Sequence, residues 1–74
     1  MLRVLIDREK LRAAMKGITF KYLHQQVVEF GLEVEYPTLM ANLRNSVNWN
    51  LLYAWCVCEV LNVKIEDLFY LEGK

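Results

Sequence analysis

The side chains best equipped for chemistry lie between Tyr36 and Cys58, where Arg44 is the single charge and Asn42, Asn45, Asn48 and Asn50 supply amides. Amides and the Ser46 hydroxyl are neutral donors and acceptors, able to satisfy a turn's own backbone or to meet an outside polar partner. Other chemistries lack their parts. His24 is the only histidine, and with Ser46 it does not complete a set of nucleophile, base and orienting group. Cys56 and Cys58, two apart in a helical stretch, point to different faces, so they neither bridge easily nor offer zinc-ligand spacing. No glycine-rich phosphate loop is present. The chain is expected to be no enzyme and to carry no metal or cofactor, with reduced thiols.

The 74 residues hold 9 Lys and Arg against 9 Asp and Glu. That balance hides an asymmetry. Residues 1–21 carry Arg3, Arg8, Lys10, Arg12, Lys16 and Lys21 against Asp7 and Glu9, whereas Glu29, Glu33 and Glu35 crowd one short later stretch. A uniformly basic nucleic-acid binder is excluded. A chain this short buries only about 60% of its unfolded surface, so its core is expected to be marginal unless a partner or an oligomer adds to it. No apolar run approaches the ~20 residues that span a bilayer, and the opening MLRVLIDREK is too short for a secretory core. A single domain over 1–74, cytoplasmic and off the membrane, is the expectation.

These amides must be positioned by helices. Apolar residues recur at helical spacing in Leu11, Ala14, Met15 and Ile18, then in Phe20, Leu23, Val27 and Phe30. Apolar pairs five apart flank each expected start in the hydrophobic-staple pattern: Ile6 and Leu11 around Asp7, Ile18 and Leu23 around Thr19, Val34 and Leu39 around Glu35, Val63 and Leu68 around Lys64. Asp7 and Thr19 are favoured caps, and Pro37 falls in a first turn, where its missing N–H costs nothing. The stretch from Asn50 to Asn62, capped by Asn48 or Asn50, is apolar almost all round, so a second face needs a cover. Helical stepping puts Leu51, Ala54, Val57, Cys58 and Leu61 inward and leaves Leu52, Trp55, Cys56 and Glu59 as a candidate interface. Trp49, Tyr53 and Trp55 read as core and interface rather than as a base-stacking platform. The ends, MLRVLI and LFYLEG, are extended in character and can pair as short strands.

This order of elements resembles the Cro and lambda-repressor type of helix-turn-helix domain, widespread in bacterial and phage regulators. The likeness is carried by ITFKYL at 18–23, EYPTLMANLRN at 35–45 and VCEVLNVKIEDLF at 57–69. It implies an all-α, five-helix domain acting as a sequence-specific, repressor-type transcription regulator that binds operator DNA in the major groove as a homodimer. The chain departs from the pattern at His24, where the family has a small residue, and at Asn42, where it has an apolar one. Leu23 and Leu39 also stand about five residues further apart than in the family, which lengthens the second helix through Glu29 and Phe30 and expands the connection GLEVE.

By this resemblance Tyr36, Thr38, Ala41 and Asn42 face the bases, with Arg44 at the far end on a guanine or a phosphate. Asn45, Ser46 and Asn48 meet the DNA backbone, and Lys16 and Lys21 flank the second helix start. Two half-sites about one helical turn apart follow from the symmetry. A competing expectation is a protein-interaction module, an antirepressor or a regulator's cofactor, that keeps the framework without DNA affinity. Neutral overall charge and the acidic trio favour that alternative; the basic first third favours DNA.

Overall fold

Asp7 turns extended backbone into a helix by accepting hydrogen bonds on Oδ1 from the N–H groups of Glu9 and Lys10, at 3.0 and 3.1 Å. Thr19 and Asn50 do the same through Tyr22 N–H and Tyr53 N–H. These caps satisfy donors that the first turn leaves without intrahelical partners. In the computed structural model, which describes residues 2–73, they open α1 (Arg8–Met15), α2 (Phe20–Phe30) and α4 (Leu51–Leu61). Glu35 and Lys64 precede α3 (Tyr36–Leu43) and α5 (Ile65–Leu68) without a side-chain cap, and Pro37 stands in the first turn of α3.

The expected terminal strands form. β1 (Arg3–Ile6) and β2 (Phe69–Glu72) pair antiparallel with Arg3 opposite Glu72 and Ile6 opposite Phe69; Met1, at the start of the expected first strand, lies outside the described residues. The result is a mostly helical small domain whose two ends are tied by a two-stranded sheet. Its core gathers Ile6, Leu11, Leu23, Val27, Leu39, Leu43, Val57 and Leu68.

Two features follow from the length of α2. Its last turn runs through Glu29 and Phe30, as the spacing predicts, and stops at Gly31, whose φ of +126° suits glycine. The following stretch then alternates, with Leu32 and Val34 buried and Glu33 and Glu35 exposed. It is an extended connection laid against the core.

The apolar helix α4 corrects the sequence reading at two positions. At about 100° per residue its buried side chains, Ala54, Cys56, Val57 and Cys58, cover an arc wide enough to include Cys56. Cys56 is 5% exposed and belongs to the core, not to an interface. Leu51, expected inside, is 71% exposed because it opens the helix before the core begins. The free strip on α4 is Leu51, Leu52, Trp55 and Glu59. Both thiols are free, and no described helix is long and apolar enough to cross a membrane.

Candidate nucleic-acid interface

Helix α3 is held from one side only. Leu39, Asn42 and Leu43, at i, i+3 and i+4, are its buried positions. The opposite side carries Pro37 and Arg44, both exposed, with half-buried Ala41 between them; Thr38 is exposed beside them. Both ends of α3 are also fastened.

At its start, His24 on α2 reaches the connection. Its Nε2 lies 2.7 Å from the carbonyl oxygen of Val34, and since a carbonyl only accepts, Nε2 is the donor. The same ring meets Tyr36 edge-on, with centroids 5.6 Å apart. One imidazole thus anchors both the connection after α2 and the first residue of α3.

At its end, Asn45 adopts a left-handed φ of +60° and turns its amide onto β1. Its Oδ1 accepts from Ile6 N–H at 2.9 Å and from the Trp49 indole at 3.3 Å, while its Nδ2 donates to Ile6 C=O at 3.1 Å. A single amide therefore pairs with Ile6 as a neighbouring strand would. Arg3 donates to the Asn45 carbonyl at 3.4 Å.

These contacts sort the expected DNA-facing residues. Lys16, Lys21, Thr38, Arg44, Ser46 and Asn48 are exposed, and Tyr36 is partly so. Asn42 is not available to bases: it is 2% exposed, and its Nδ2 donates to the Asn48 carbonyl at 3.2 Å. Asn45 is half-buried, and its Oδ1 and one of its two amide N–H groups are engaged on Ile6 and Trp49, which leaves one N–H for an outside acceptor. Asn42 is a correction with a plain cause, that a buried amide must find partners inside the protein. Among the described residues no buried side-chain nitrogen or oxygen lacks one. Sequence reasoning missed Pro37 on the free side of α3 and His24 as its anchor; helical stepping from Leu39 finds Pro37, whereas nothing local announces the His24 contact.

On the second candidate surface, Leu52 and Trp55 are 60% and 57% exposed and join Leu51 around an apolar hollow, with Glu59 beside them. Cys58 lines an adjoining hollow with Trp55 and Glu59, its thiol pushed up to about 11 by burial and by the neighbouring Glu59 carboxylate. Among the described residues no group of three or more His, Cys, Asp or Glu side chains is placed to hold a metal.

No protein-family model, curated protein or solved structure matches this chain.

Proposed function

We propose that this chain is a sequence-specific DNA-binding regulator of the Cro and lambda-repressor type, in which α2 and α3 form the helix-turn-helix unit and α3 enters the major groove. The observation that carries the reading is the state of α3, a helix fastened at both ends and along one side whose remaining side is free. A reading helix needs that combination, because base contacts discriminate only if the side chains presenting them are held in register. Exposed Arg44, Lys16 and Lys21 supply positive charge for phosphates. The apolar strip of Leu51, Leu52 and Trp55 joins two copies, which puts two reading helices on successive half-sites.

The test is selection of duplexes from a random pool by the full chain, with anisotropy titrations from about 50 to 200 mM salt. Enriched sequences, and an Arg44→Ala variant weaker by about 1–3 kcal/mol with a salt slope shallower by about one, are expected. An unenriched pool refutes the proposal.

A second reading has its own observation. Glu33 and Glu35 are exposed immediately before α3, and Glu29 on α2 is exposed as well. Carboxylates there repel phosphates and suit a protein partner that uses the Trp55 strip. This module without DNA affinity is what an unenriched pool favours.

A further inference from the structure

The DNA-binding reading leaves open which bases α3 distinguishes, and the engagement of its amides narrows the answer. Bidentate recognition of adenine uses an Asn or Gln side chain against N6 and N7. Helix α3 reads YPTLMANL, and its single amide, Asn42, is buried and bonded to the Asn48 carbonyl. The next amide along the chain, Asn45, is fastened to Ile6 and Trp49. No carboxylate stands within α3 to accept from cytosine N4. Arg44, suited to guanine or to a phosphate, sits at the far end, whereas the side chains that reach base edges in this geometry come from the helix start.

The Tyr36 ring stands edge-on against His24, and what remains on the free side near that start is Pro37, the methyl and hydroxyl of Thr38, and half-buried Ala41. These are small and mostly apolar. One feature of the major-groove floor fits such groups, the C5-methyl of thymine, which is contacted by Ala and by the methyl of Thr. Small side chains also let the helix approach closely enough to exclude water from the methyl. Exposed Arg44 at the far end of this surface complements the phosphate charge of a duplex rather than an apolar peptide, against the opposing charge of exposed Glu35 just before the helix start.

Resting on that reading of the chain, we infer that α3 selects its half-site by thymine methyl groups packed on Pro37, Thr38 and Ala41, with no amide contact to adenine. Removing one buried methyl then weakens binding about fourfold, the equivalent of about 0.8 kcal/mol.

The experiment alters the DNA, which leaves the protein's folding untouched. In each enriched duplex, thymines are replaced one at a time by deoxyuridine, which lacks only the methyl, and affinity is read by anisotropy at fixed salt. The expected result is a loss of about fourfold at two or more thymines within each half-site, with an unchanged salt slope. In Ala41→Ser the penalty at one of these positions disappears, because a hydroxyl replaces the apolar contact. Enriched duplexes that accept deoxyuridine everywhere within about 1.5-fold overturn the methyl readout and leave DNA binding standing. A pool with no enrichment overturns both.

Discussion

Replacing Asn45 by alanine tests whether one side chain ties the end of α3 to the sheet. The variant loses three hydrogen bonds, at 2.9, 3.1 and 3.3 Å, and leaves Ile6 N–H, Ile6 C=O and the Trp49 indole without those partners. At about 1 kcal/mol net for each neutral bond the sum is about 3 kcal/mol. Water entering the open cleft that Asn45 lines with Ile6, Asp7 and Tyr70 offsets part of this. Alanine at a φ of +60° adds about 1 kcal/mol of backbone cost that asparagine bears more easily. The expected destabilisation is therefore about 3 kcal/mol, against about 4–11 kcal/mol for a domain of this size. Asn45→Gly removes the same bonds but tolerates the left-handed backbone, so it is expected to be about 1 kcal/mol more stable than Asn45→Ala. Urea unfolding followed by tryptophan fluorescence measures both, since buried Trp49 stands edge-on to Phe69 at 4.7 Å. Hydrogen exchange at the Ile6 amide adds a local readout, protected in the parent and fast in both variants. Variants within about 0.5 kcal/mol of the parent, with Ile6 still protected, refute the reasoning.

Asn42→Leu exchanges a buried amide for an apolar side chain of similar size; stability is expected to change by less than about 1.5 kcal/mol and affinity for a selected duplex to stay the same, whereas a folded variant with altered base preference places Asn42 in the groove. Leu52→Glu puts a charge on the apolar strip of α4, and sedimentation is expected to show a dimeric parent and a monomeric variant at micromolar concentration; a monomeric parent removes the strip as an interface between copies. Cys58, at about 11 rather than its ordinary 9.0, has about 100-fold less thiolate at pH 8 than an unfolded cysteine. Its alkylation at pH 8 is expected to be slowed at least that much until urea unfolds the chain. Because the folded form holds the proton more tightly, this thiol favours folding below pH 9 and that contribution disappears as pH rises from 9 to about 11.

Local signals made most elements legible. Asp7, Thr19 and Asn50 are cap residues followed by helical periodicity, and each caps as its chemistry dictates. The strands at the chain ends and the extension of α2 to Phe30 were equally readable. Asn42 was readable but misassigned: it lies with Leu39 and Leu43 at core spacing, and the resemblance together with its polar side chain suggested the surface. Asn45 was not readable, because the contact that engages it joins residues 39 apart and no local pattern encodes which strand an amide will meet. Of two asparagines whose sequence surroundings look alike, Asn42 is removed from the expected surface by burial, and half-buried Asn45 is turned mostly onto β1.

Helix α4 shows a different limit. Amphipathic spacing assigns a face by contrast, and LLYAWCVCEVL offers almost none. Which arc is buried is then decided by the neighbouring elements, chiefly α2 and α5, rather than by the helix itself. Cys56 goes inside with Val57 and Cys58, and Leu51 is left outside with Leu52 and Trp55. Burying Cys56 leaves the larger side chains exposed, which is unfavourable for a solitary domain, since Leu and Trp gain more from leaving water than cysteine does. The proposed second copy, laid along the same strip, would remove that conflict, because an isologous contact would cover Trp55 on both sides with a single packing solution.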